Sequence, residues 1–133
     1  MNIQPSRVLI AMGSNTHPAV HIQWASERLT TLLSDISFSR KLWTEDYHGT
    51  GVWYMNRLVY GTTILGVDEL TKALKDIEAE TRRTKGHVTL DLDLMFYNEQ
   101  RYHERDWERS YILNAIHSFN SPFFRTFAPS NNT

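Results

Sequence analysis

Leu90-Asp91-Leu92-Asp93-Leu94, followed by Met95-Phe96-Tyr97, alternates apolar and acidic residues without a break. Such alternation marks a strand buried on one face, because successive strand side chains point to opposite sides. Three leucines go to the core, and two aspartates share the other face about 7 Å apart, at roughly 3.3 Å of rise per residue. Aspartate is depleted in strands, and like charges on one sheet face repel. Either a cation or cationic ligand is set against the pair, or the strand shows water a plain polar face. The apolar flanks place the pair inside a central strand and favour the first reading. Carboxylate oxygens suit hard cations, and Mg²⁺ is typically held by one or two carboxylates with waters and substrate phosphates. The pair therefore points to phosphate chemistry before it points to zinc.

A chain of 133 residues is expected to form one domain over 1–133 with a substantial core. Its net charge of −1 provides no global field to recruit nucleic acid or an anionic membrane, so neither is an expected partner. The absence of cysteine excludes a disulfide scaffold, a thiolate zinc site and a thiol nucleophile. Met1 to Arg7 lacks the apolar core of a signal peptide, and no apolar run approaches membrane-spanning length. A cytoplasmic location is the default expectation.

Val8-Leu9-Ile10-Ala11-Met12 is a continuous apolar run and reads as a buried first strand, ended by the turn cluster Gly13-Ser14-Asn15. Asn15 or Thr16 is placed to cap a helix entered through Pro18 and running to about Ser34, with Val20, Trp24, Leu29, Leu32 and Leu33 among its apolar positions. Phe38 to Trp43 reads as a second strand. Thr44 to Val52, with Gly49 and Gly51, is a loop whose Glu45, Asp46, Tyr47 and His48 either line a binding site or are simply solvated. Tyr54 to Leu65 has the β-branched and aromatic content of a long strand.

Gly66-Val67-Asp68 opens a second helix, and Leu70, Ala73, Leu74 and Ile77 form its core stripe. Arg82, Arg83 and Lys85 close it, with Gly86 as a stop signal. Beyond Asn98 the chain is polar to Arg109, then gives Tyr111-Ile112-Leu113, and residues 120–133 form a polar tail expected to be loosely ordered. This order of elements is that of an α+β fold, an α/β sandwich with helices on a mixed, mostly antiparallel sheet. The short connection behind the second helix brings Glu78, Arg82 and Arg83 close to Asp91 and Asp93. Basic groups there either complete an electrostatic clamp on a polyphosphate or serve the helix C-terminus alone.

Ile10-Ala11-Met12-Gly13-Ser14-Asn15, Tyr54-Met55-Asn56, Ile77-Glu78 and Thr89-Leu90-Asp91-Leu92-Asp93-Leu94-Met95 together resemble the 6-hydroxymethyl-7,8-dihydropterin pyrophosphokinases of folate biosynthesis. The order and spacing of the blocks match over residues 8–116. The resemblance implies a ferredoxin-like sandwich and transfer of the terminal pyrophosphate of ATP to the hydroxymethyl group of the pterin, releasing AMP. It implies two Mg²⁺ ions on Asp91 and Asp93, and two small-molecule substrates, ATP and the pterin. Thr44, Tyr54, Asn56 and Tyr111 would contact the pterin, with Tyr111 in the place of a stacking ring. Glu78, Lys85, His103 and Arg109 would serve the nucleotide, and Arg83 and Arg109 the transferring phosphates. His103 and Arg109 keep the six-residue spacing that precedes a Phe-x-Leu strand in the family, here Tyr111-Ile112-Leu113.

The chain also departs from that pattern. The loop from Thr84 to Val88 is several residues shorter than in the family, and no Trp lies between Trp53 and Trp107 to close over the pterin. Val88 stands where the family carries a phosphate-binding Arg, three residues before the first aspartate, and Thr44 is followed by Glu45-Asp46 in place of a proline-rich segment. A shortened lid is expected to cost rate or pterin affinity. Two rivals stand beside the kinase reading: a non-catalytic relative that binds nucleotide or pterin as a regulatory or partner-binding module, and a metal-dependent phosphotransferase or hydrolase for another nucleotide.

Overall fold

Apolar residues sit on both faces of the first strand because the sheet is covered on both sides. The computed structural model describes residues 4–46, 48–82 and 87–117. Strand β1 (Ser6–Ser14) lies at the centre, antiparallel to β4 (Trp53–Thr63) on one side and to β5 (Asp91–Tyr97) on the other. β2 (Ser34–Phe38) and β3 (Leu42–Glu45) follow one another along the far edge of β4, and the short β6 (Gln100–Arg101) pairs with the end of β5. The order is β2-β4-β1-β5-β6, and every pairing among the described residues is antiparallel. Helix α1 (Pro18–Leu29) carries the chain from β1 past β4 to β2, and α2 (Val67–Glu80) carries it from β4 past β1 to β5. These two split βαβ crossovers define the ferredoxin-like sandwich.

One core lies between the sheet and α1 and α2, built on Val8, Ile10, Met12, Ile22, Leu29, Leu70, Leu74, Ile77 and the three leucines Leu90, Leu92 and Leu94. The second lies on the opposite face, where Leu9, Leu58, Tyr60, Met95 and Phe96 meet Trp107 from a 3-10 turn (Glu104–Glu108) and Ile112, Ala115 and Ile116 from α3 (Ser110–His117). A register shift between Leu9 and Ile10 skips Met95, so Met95 and Phe96 both reach the second core. Among the described residues no helix is long and apolar enough to cross a membrane.

Several expectations change, among them the loop from Thr44, since Thr44 and Glu45 pair with β4 as the end of β3. α1 stops at Leu29 rather than near Ser34, because the Thr30 and Thr31 hydroxyls donate to the carbonyls of Glu27 and Arg28 and satisfy the last turn. Leu33 is buried from the following turn, whereas Val20 is exposed. Neither Asn15 nor Thr16 caps α1. Asn15 instead exchanges two hydrogen bonds with the backbone of Val88, at 2.7 and 2.9 Å. The strand expected at Phe38–Trp43 is broken at Ser39, whose N–H and hydroxyl both bond the backbone of Leu58. Tyr111-Ile112-Leu113 is helical, not a strand.

The tail at 120–133 and Gly86 lie outside the described residues. α2 ends instead at Thr81, with Arg82 in the left-handed region at φ 56°. That conformation suits glycine. Arg82→Gly is expected to raise stability by up to about 1 kcal/mol, read from urea denaturation.

Candidate active site

Three neighbouring strands change character at the same level of the sheet, on the face that carries the second core. Tyr60, Leu9 and Phe96 stand side by side as core. The next rung is Leu58, Ala11 and Asp93, and the one after it Asn56, Gly13 and Asp91. Side chains on β1 shrink from Leu to Ala to Gly while those beside them turn polar, and the face hollows. The result is a cleft of about 740 Å³, in the range of small-molecule sites. A Cβ on Gly13 would stand in ordinary contact, 3.4 Å from the Asn56 Oδ1, and would begin to fill the floor of the hollow.

Asp91, Asp93, Thr44, Tyr54, Asn56, Arg109 and Tyr111 all line this one cleft, although they come from positions far apart in the sequence. Thr44 faces Tyr54 across the β3–β4 ladder, and the Asn56 Nδ2 donates to the Thr44 Oγ1 at 2.6 Å, which fixes the orientation of the amide. Tyr111 enters from the first turn of α3, partly buried against the second core. Glu45, Asp46 and His48 also line the cleft, as does Asp106.

The nucleotide residues divide. Arg109 is in the cleft, its Nε donating to the Asp106 Oδ1 at 2.8 Å. The His103 Nε2 lies 3.9 Å from the Asp93 Oδ1, beside the acidic pair. Glu78 does not line the cleft. One of its oxygens accepts the Leu92 N–H at 3.3 Å, on the stretch of β5 that β6 does not reach, and the other holds Lys75 at 2.9 Å. Arg83 and Lys85 lie outside the described residues. Val88 is buried, its backbone engaged by Asn15.

Burial pushes the Asp93 carboxyl above its ordinary range; His103 pulls it back, and the charge of Asp91 adds to the rise. The Lys75 ammonium is held above its ordinary range, first by its hydrogen bond to Glu78 and further by Glu78, Asp93 and Asp91 as charges. Lys75, Asp106 and Ser110 are site neighbours that the linear pattern does not single out. Lys75 carries a signal all the same, being three residues before Glu78 on the same helix face.

Two carboxylates two residues apart on one strand face, Asp93 pushed up by burial and by the charge of Asp91, fit a hard cation. Among the described residues no group of three or more acidic or histidine side chains gathers to enclose a metal. That open donor set is the one Mg²⁺ uses when waters and substrate phosphates complete its shell.

The chain matches the family 7,8-dihydro-6-hydroxymethylpterin-pyrophosphokinase over residues 9–121. It is 40% identical over 72 residues to the mitochondrial folate synthesis bifunctional protein of Arabidopsis thaliana, covering 45% of this chain and 13% of that one. Over 126 residues it is 31% identical to the mitochondrial folate synthesis bifunctional protein of Pisum sativum, covering 83% of this chain and 24% of that one. The chain thus spans a quarter or less of the length of these relatives. With the match running from within β1 to beyond α3, over most of its length, the chain belongs to the 7,8-dihydro-6-hydroxymethylpterin pyrophosphokinase family.

Proposed function

We propose that this chain transfers the terminal pyrophosphate of ATP to the hydroxymethyl group of 6-hydroxymethyl-7,8-dihydropterin in folate biosynthesis. The hydroxyl oxygen bonds to the β-phosphorus, the bridge to the α-phosphate breaks, AMP leaves, and the hydroxyl proton is released. The observation that carries the reading is that two successive rungs of the sheet put Asp93 and Asp91 in one cleft with Asn56 and Thr44, in a chain of this family.

Asp91 and Asp93 would hold two Mg²⁺ ions. There they would supply charge neutralisation to the triphosphate. The remaining work is that of the side chains. Thr44 fixes the Asn56 amide, which reads the polar edge of the pterin; Tyr54 and Tyr111 flank its ring. Arg109 contacts the phosphates, His103 serves the nucleotide from beside Asp93, and Glu78 with Lys75 supports the strand from behind. Arg83 and Lys85 are assigned to the phosphates by the resemblance.

Purified protein with ATP and Mg²⁺ should release AMP only when the pterin is added. The buried Val88, where the family carries a phosphate-binding Arg, favours a second reading, in which the chain binds these ligands without turning them over. Nucleotide binding with no pterin-dependent AMP would select it. Within the first reading, Asn56→Ala is expected to weaken pterin binding about tenfold, since unpaired polar groups on the ligand cost about 1–3 kcal/mol. Nucleotide binding should be unchanged, and calorimetry with each ligand separates the two.

A further inference from the structure

Arg109 shares the cleft with an acidic residue that no part of the reading above employs. Asp106 meets it twice: the carboxylate accepts from Nε at 2.8 Å, and the carbonyl accepts the Arg109 N–H at 3.1 Å. Asp106 is itself fixed, its N–H donating to the His103 carbonyl at 2.8 Å. The next residue, Trp107, anchors the turn in the second core, with Nε1 donating to the Tyr102 carbonyl at 2.9 Å and the Arg101 guanidinium stacked 4.2 Å from the ring. The carboxylate therefore stands on a rigid mount at the cleft wall.

A carboxylate beside a phosphate-binding cation reduces its Coulomb attraction for phosphate, and a three-residue ion pair of this exposure contributes little to stability. What it supplies is orientation. The guanidinium is a planar fork, and a contact at Nε sets its plane, so that less side-chain freedom is lost when phosphate oxygens arrive. Asp46, in the β3–β4 loop, feels the Arg109 charge as well, but its carboxylate is tied within its own loop, by the Thr50 hydroxyl at 2.9 Å and the His48 N–H at 3.3 Å. Asp106 reaches Arg109 from the same turn, through a side-chain hydrogen bond at Nε.

We infer that Asp106 is a positioning residue for Arg109, setting the guanidinium to receive the nucleotide phosphates. This rests on the assignment of Arg109 to the nucleotide. Titration calorimetry with a non-hydrolysable ATP analogue and Mg²⁺ tests it. Asp106→Ala should weaken binding about five- to tenfold, the freedom of one long side chain. Asp106→Asn, which keeps an acceptor for Nε, should restore most of the loss, and pterin affinity should not move. In an Arg109→Ala background, Asp106→Ala should have no further effect. The wild-type protein offers a readout without any variant: the Arg109 Nε–Hε resonance should be resolved and slow to exchange before ligand is added. Unchanged or tighter nucleotide binding in Asp106→Ala, an equal loss in the Arg109→Ala background, or a random-coil Nε–Hε signal overturns the inference. A wild-type protein that binds no nucleotide overturns the assignment of Arg109 along with it.

Discussion

Asp91→Ala and Asp93→Ala are each expected to lower pterin-dependent AMP formation by about 10²–10³-fold or more, with the fold retained. Retention follows from geometry. Both side chains point away from the core that Leu90, Leu92 and Leu94 fill, so removing a carboxylate leaves no cavity between sheet and helices. The stability change should be small. The charge of Asp91 adds to the rise of the Asp93 carboxyl while Lys75 offsets it, so Asp91→Asn should leave the Tm of Mg²⁺-free protein within a few degrees of the wild type. Mg²⁺ should then stabilise the wild type but not the variant. Thermal scans with and without Mg²⁺, beside the AMP assay, read both effects. Wild-type turnover in either alanine variant would remove the aspartates from the reaction.

Trp107→Ala is expected to cost about 3–5 kcal/mol, a large share of the stability of a domain this size. Trp107 is 2% exposed and joins the 3-10 turn to Leu9, Leu58, Tyr60 and Phe96 under the sheet. Trp107→Phe keeps most of that packing but deprives the Tyr102 carbonyl of its donor, and should cost about 1–3 kcal/mol. Urea denaturation of both variants gives the ordering. A loss under about 1 kcal/mol in Trp107→Ala would show that the second core does not hold this turn. Because Asp106 and Arg109 flank Trp107, nucleotide affinity should fall with the packing while the β3–β4 side of the cleft stays intact.

The parts of this fold that can be read in the chain are those where one local pattern meets one environment. The alternation at Leu90–Leu94 is such a case, as is the stripe Leu70, Leu74, Ile77 on α2. The break between β2 and β3 is different. It depends on Arg57, eighteen residues on, whose guanidinium lies 4.4 Å from the Phe38 ring and donates to the Ser39 carbonyl at 3.1 Å. Nothing local to Phe38–Trp43 reports that partner. The end of α1 is hidden for another reason, since the apolar spacing continues through Leu33 after the helix has stopped.

At α3 the chain carries its own answer. Ile112, Ala115 and Ile116 have helical spacing, which outweighs the strand that the family resemblance implies for Tyr111–Leu113. Within the site, the membership of Thr44, Tyr54 and Asn56 is legible through the resemblance. The Asp106–Arg109 contact needs the tight 3-10 turn to form, and Lys75 needs the helix laid against β5.

The rung that joins Asn56, Gly13 and Asp91 runs into the longest ladder among the described residues, nine residue pairs between β1 and β4. Such ladders are the last parts of a protein to open. The floor under the ligands is therefore a rigid datum, already in its bound geometry before anything arrives, and the entropy lost on binding falls on the side chains above it. That division lets the two halves of the site drift at different speeds. Amide hydrogen exchange should show it as protection at Leu58 and Ala11 that ligand hardly changes.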